Sequence, residues 1–364
     1  MTLSPLLFAL GLALIAPAGA DIVPLDVPAL KIAIGPALEI GRRDLLFASI
    51  SSVCEDDRGG FYVLDRMEST VRKFSPDGRP VRTFGRKGQG PGDLQAPATI
   101  VLTSAGEIAV LEDLGLVSFF DTDGAFRRRL DLNGRLGLGY VGPDRFYGWI
   151  WRPEDKQQVL VDARNTVLAA FDVQPRDAFS VVLPDETGRS VMFNYASEAY
   201  VPEFLFDHSR SLSAVGISDR YRLTLLDENG RAVGRLERDL EPQRISGRER
   251  AFLEEEIGAF TASKRWPERV GRELAKKIPA TKNAVRAVRI SPAHVFVFRF
   301  AADITRRDAP CPVDVFTRRG ELLGTAELPE VPLFLSDKVL YFARTDEAGN
   351  VFLAKAEYAI SPVR

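Results

Sequence analysis

Apolar and polar residues alternate with a period of two along most of the chain, and compact turn signals interrupt the alternation at regular distances. Phe61 and Val63 alternate with their neighbours, as do Val71 and Lys73-Phe74, which predicts two half-buried strands. Pro76-Asp77-Gly78 supplies a tight turn between them and a third strand, Val81 to Phe84, because glycine takes a left-handed backbone without steric cost. The same apolar-x-x-x-Gly turn recurs at Phe120–Gly124, Leu226–Gly230 and Phe316–Gly320. Val161–Asn165 is a fifth copy, with asparagine, the non-glycine residue most tolerant of that conformation. Successive turns lie 46, 41, 65 and 90 residues apart. The first two distances match a four-stranded repeat, and the longer two are repeats carrying insertions.

A second register agrees. Gly59, Val63, Leu64 and Asp65 recur 47 residues later as Gly106, Val110, Leu111 and Glu112. The pattern predicts an all-β, six-bladed β-propeller with blades over about 45–84, 96–132, 136–173, 200–238, 283–328 and 331–358. The last blade is short of a strand, and the run Leu30 to Ile40 is expected to complete it and close the ring. Phe84-Gly85, then Gly88-Gln89-Gly90-Pro91-Gly92-Asp93-Leu94 and Pro97, leading into Gly106 to Leu111, resembles the inter-blade linker of NHL-repeat and related bacterial six-bladed, TolB-like propellers. The resemblance spans about residues 45–132; Leu94 and Glu112 stand where that repeat has Phe and Asp. It implies a fold and binding roles in general, and no particular substrate.

Ser246-Gly247-Arg248-Glu249 is a capping box, so a helix should begin there with Phe252, Leu253, Ile257 and Phe260 as its apolar stripe. A second helix is expected with Pro267 in its first turn, Trp266, Val270, Leu274 and Ile278 at four-residue steps, and Pro279 at its end. This insertion, about 246–279, should cap one face of the ring between blades four and five.

At the N-terminus, apolar Leu6 to Ala16 followed by Ala18-Gly19-Ala20 predicts a signal peptide over residues 1–20 and a single propeller domain over 21–364. The expected location is periplasmic or secreted. Later apolar runs are too short to span a membrane. A net charge of −2 provides no drive toward nucleic acid. Cys54 and Cys311 are expected at opposite faces of the ring and therefore unbridged.

No motif supplies a catalytic constellation. The linker GRKGQGPGD lacks the Gly-Lys-Ser/Thr of a phosphate loop and reads as a crossover between blades. His208 and His294 have no partner at metal-ligand spacing, and no cofactor is predicted. Asp113, Glu203 and Asp337 are candidate ligands for a divalent cation at the channel mouth, the chemistry of a metal-assisted, lactonase-like hydrolase. Leu46–Val53, Ala98–Leu102 and Val285–Ile290, expected innermost, carry no carboxylate. Trp149 and Trp151 fall on one face of an aromatic strand, and Trp151 is a candidate ligand platform.

Ring geometry places the crossover linkers and the second-to-third-strand loops on the face where the inner strands begin. That face collects Arg66, Glu68, Arg86, Lys87, Gln89, Arg152, Asp155, Arg306 and Arg307. Arg66, Arg86, Lys87, Gln89, Trp151, Arg152, Arg306 and Arg307 are the candidate binding residues for a protein, glycan or small-molecule carboxylate. The favoured reading is an exported, non-catalytic propeller binding a ligand or partner there; the hydrolase is the alternative.

Overall fold

Each recurring turn closes the outer hairpin of a four-stranded antiparallel sheet, and six such sheets form the ring. The computed structural model describes residues 27–42, 45–113, 115–132, 135–151, 156–171, 180–184, 188–194, 202–306 and 308–363. The expected signal peptide lies outside them.

Strand β1 (Leu30–Ile40) comes first in the chain but belongs to the last blade. Blade one is β2 (Ile50–Glu55), β3 (Phe61–Asp65), β4 (Thr70–Phe74) and β5 (Pro80–Phe84). Blade two is β6 (Pro97–Leu102), β7 (Ile108–Glu112), β8 (Leu116–Phe120) and β9 (Phe126–Asp131). Blade three is β10 (Arg135–Gly142), β11 (Arg145–Trp151), β12 (Lys156–Asp162) and β13 (Val167–Phe171). A separate hairpin, β14 (Ser180–Pro184) and β15 (Ser190–Asn194), precedes blade four: β16 (Phe204–Ser209), β17 (Leu212–Ile217), β18 (Arg222–Asp227) and β19 (Ala232–Glu237). Helices α1 (Gly247–Ser263) and α2 (Glu268–Ala275) precede blade five: β20 (Ala287–Ile290), β21 (His294–Phe298), β22 (Cys311–Thr317) and β23 (Leu322–Leu328). Blade six is β24 (Phe334–Leu335), β25 (Val339–Thr345) and β26 (Val351–Pro362), with β1 as its outermost strand. Pairing of β1 with β26 runs from Leu30↔Pro362 to Ile40↔Leu353, with a bulge between Ile34 and Ala37.

Alternation serves two cores at once. On β3, Phe61 and Val63 join a cluster shared with blade six, while Tyr62 and Leu64 join one shared with blade two. Every neighbouring pair of blades shares such a cluster, which is why β3 and β7 are buried along their whole length. The recurring turn holds its shape through the residue after the apolar one. Asp121, Asp162 and Asp227 each accept two backbone N–H groups within the turn, and Thr317 does the same through its hydroxyl. Gly78 and Asn165 both take positive φ, at 83° and 62°.

The helical insertion and the hairpin share a seventh cluster. Leu253, Ile257, Val270, Leu274 and Ile278 pack there with Val181 of β14 and Phe300, and Ile304 packs against them. The capping box at Ser246 and Glu249 is formed. Pro267 caps α2 rather than entering it, and the helix ends at Ala275, before Pro279. Bonds from Lys277 N–H to Leu274 C=O and from Ile278 N–H to Ala275 C=O tighten the chain there and return Ile278 to the cluster. Cys54 on β2 and Cys311 at the start of β22 are free and buried in different inter-blade clusters.

Candidate functional site

The six innermost strands surround a cavity of about 510 Å³. Its wall is drawn from β2, β6, β10, β16, β20 and the segment entering β24; Leu138, Phe206, Leu333 and Phe334 are among its apolar members. Its rim consists of turns that follow those strands, including Asp56, Asp57, Ser104, Arg210, Ser211, Pro292 and Ser336. The cavity therefore opens among the first-to-second-strand turns, opposite the face of the crossover linkers where the sequence suggested a binding site.

Blades one and four stand across the ring from each other, and an ion pair joins their rims. Arg210 donates to Asp57 over 2.9 Å, with both side chains largely exposed. Arg210 sits in the two-residue turn between β16 and β17 with φ of 58°, a conformation usually left to glycine. That turn carries its guanidinium to the mouth.

Polar groups deeper in the wall are perturbed by burial. Asp207 accepts the Ile290 N–H over 2.6 Å, tying blade four to blade five. Burial pushes its carboxyl up to about 6, against the opposing pull of Arg289. The next residue, His208, stands edge-on to Tyr140 and contacts the Ser213 hydroxyl through Nδ1 at 3.0 Å. Burial, assisted by the Arg318 charge, lowers it to about 3, so the ring is neutral at physiological pH. Its Nε2 and the hydroxyl of Ser51 are buried without a protein partner. Burial likewise raises Tyr140 to about 12, although it is hydrogen-bonded to Ser104.

The carboxyl of Asp207 has its pKa raised above the ordinary aspartate value near 3.9, so its stabilising effect is fully present below that pH and is lost as pH rises through 6. In Asp207→Asn, the stability difference between pH 4 and pH 7 should shrink relative to wild type in urea titrations. An unchanged difference would show that this carboxyl titrates normally.

Of the described residues expected from sequence, Arg66, Arg86, Lys87, Gln89 and Arg306 do not line the cavity. Arg66 pairs with Asp113 of the adjacent blade at 2.5 Å, Arg86 with Asp93 at 2.6 Å, and Arg306 with Asp308 at 3.3 Å. Lys87 bridges to Leu94 through its backbone, and the Gln89 carbonyl accepts from Arg129. Within the linker, Asp93 also accepts the Gly90 N–H, and a side chain at Gly88 would collide with its carboxylate. The glycine-rich loop is thus closed around its own anion; Arg86 and that amide hold the Asp93 carboxyl below the usual range. Arg152, Asp155 and Arg307 lie outside the described residues. Trp151 ends β11, and its neighbour Trp149 packs edge-on to Phe204 between blades three and four.

Asp113 and Asp337 lie on opposite faces, since Asp337 follows β24 and accepts the Ala293 N–H in the next turn around the ring. Among the described residues, no three histidine, cysteine or carboxylate side chains converge as a metal site. Asp207 and His208 lie side by side on an inner strand, β16, whose sequence FLFDHS breaks the apolar pattern, as Ser51, Ser52 and Glu55 do on β2. That break was the available signal. A wider surface groove of about 840 Å³ beside blade six has its arginines already paired, Arg42 with Glu39 and Arg344 with Glu330.

Comparison with solved structures supports the fold. A Bacteroides fragilis protein thought to be exported and a DUF4221-family member from Bacteroides vulgatus superpose with TM-scores of 0.52 and 0.51. Each is 11% identical, and each match covers 92% of this chain and 99% of the other. Virginiamycin B lyase from Staphylococcus aureus is a looser match, at a TM-score of 0.42 and 8% identity over 90% of this chain and 99% of the lyase, and carries no argument about activity. No family model and no curated protein matches the sequence. No helix among the described residues is long and apolar enough to cross a membrane.

Proposed function

We propose that this chain is an exported, non-catalytic binding propeller that takes a small ligand into its central cavity from the side of the first-to-second-strand turns. The observation that carries the reading is the cavity itself. Its volume falls in the range of small-molecule sites, and its wall combines apolar side chains with polar ones, among them the perturbed Asp207. Export is supported by the signal-like N-terminus and by the description of the B. fragilis neighbour. The linker face is less suited to a small ligand, because Arg66, Arg86 and Arg306 there are engaged with neighbouring carboxylates.

A neutral apolar fluorophore, N-phenyl-1-naphthylamine, tests the site. Wild-type protein should bind it with 1:1 stoichiometry and enhanced emission. Ser211→Trp, a substitution on an exposed turn at the rim, should reduce that binding at least tenfold by filling the mouth. Equal binding by the two proteins would reject the channel as the ligand site.

A further inference from the structure

Two arginines line the cavity, and they differ in what they touch. Arg210 at the rim is paired with Asp57. Arg289, half-buried on the inner strand of blade five, donates Nε–H to the Pro332 carbonyl at 2.9 Å and Nη1–H to the Val288 carbonyl at 2.8 Å. Those bonds orient the guanidinium but do not neutralise it. Among the described residues, no carboxylate lies within ion-pairing distance of Arg289, although Asp207 is close enough to feel its charge. Asp207 itself is engaged by the Ile290 amide. A guanidinium has five N–H donors in a rigid plane, so part of that donor edge remains unused beside a cavity walled by Leu138, Phe206 and Phe334.

We propose that the cavity selects a ligand with an apolar body and a single carboxylate head, and that Arg289 binds the head. The inference rests on the small-ligand reading above and adds the chemical class. The carboxylate accepts from the guanidinium edge left by Pro332 and Val288, and the apolar body lies against the leucine and phenylalanine side chains. Arg is suited to this role because its planar fork matches a carboxylate, and a charge-assisted bond in a partly desolvated site is stronger than one between neutral groups.

Displacement of bound N-phenyl-1-naphthylamine by octanoate and by 1-octanol at pH 7.5 separates the two ideas. Octanoate should displace the probe from wild type at a concentration about tenfold lower than octanol, the gain expected of a charge-assisted bond. Arg289→Met should erase the preference, and Arg289→Lys should keep part of it, because the charge survives without the fork. Should the Met variant fail to fold, the wild-type comparison and the Lys variant still decide. No preference in wild type, or an undiminished preference in either variant, would overturn the carboxylate assignment while leaving the channel reading intact. Absence of probe binding, or binding unaffected by Ser211→Trp, would instead remove the channel site and this inference with it.

Discussion

Replacing Lys282 with methionine should unseat the helical cap and cost roughly 3–5 kcal/mol, the usual effect of stranding one charge of a buried pair. Lys282 and Glu249 have side chains only 1% and 3% exposed, and their charged atoms are 2.6 Å apart. The ammonium also donates to the carbonyls of Ala301 and Ala302, at 3.2 and 2.6 Å. The carboxylate also accepts from the amides of Ser246 and Ile304. One pair thus joins the start of α1, the segment leading into blade five and that blade's second-to-third-strand loop. Thermal melts followed by Trp266 fluorescence would report the change, since Trp266 packs edge-on against Phe193 and Phe260 inside the cap cluster. The double variant Lys282→Met/Glu249→Leu should be less destabilised than the methionine variant alone. Burial alone would raise the Glu249 carboxyl, but Lys282 and the two amides outweigh it and hold it below its usual value. Its contribution is therefore present above pH 4.5 and should fade as the pH falls through the lowered value. A methionine variant within about 1 kcal/mol of wild type would mean that water reaches the pair.

Deleting residues 27–40 should abolish the single cooperative melt and produce oligomers. Strand β1 covers the outer edge of β26 from Leu353 to Pro362, and Leu30, Ile32 and Ile34 pack against the cluster between blades five and six. Without it, blade six retains a two-residue inner strand and a long exposed edge on β26. Such an edge pairs readily with another copy. Calorimetry and light scattering after size exclusion would measure both effects. A monomer with an unaltered transition would show that the ring closes without the clasp.

The architecture was legible because a propeller strand buries both faces. Alternating residues on β3 and β7 then read as continuous apolar runs, and their turns recur at blade spacing. The capping box at Ser246 was equally plain, since it is a local contact between residues three apart. What escaped the reading depends on ring closure. The hairpin β14–β15 contains alternating apolar residues like any blade strand, and only its contacts with α2 and Trp266 set it apart. Asp207 and Arg289 lie 82 residues apart in the sequence and share one wall only because blades four and five are neighbours. Sequence composition gives the number of arginines on the linker face but not the carboxylates that Arg66, Arg86 and Arg306 already hold.

Among the described residues, the cap is assembled from the hairpin ahead of blade four, the helices ahead of blade five and a loop within blade five. Blades six, one and two carry short connections on that side, among them the tight glycine-rich linker. The face is therefore lopsided, raised over one half of the ring and level over the other.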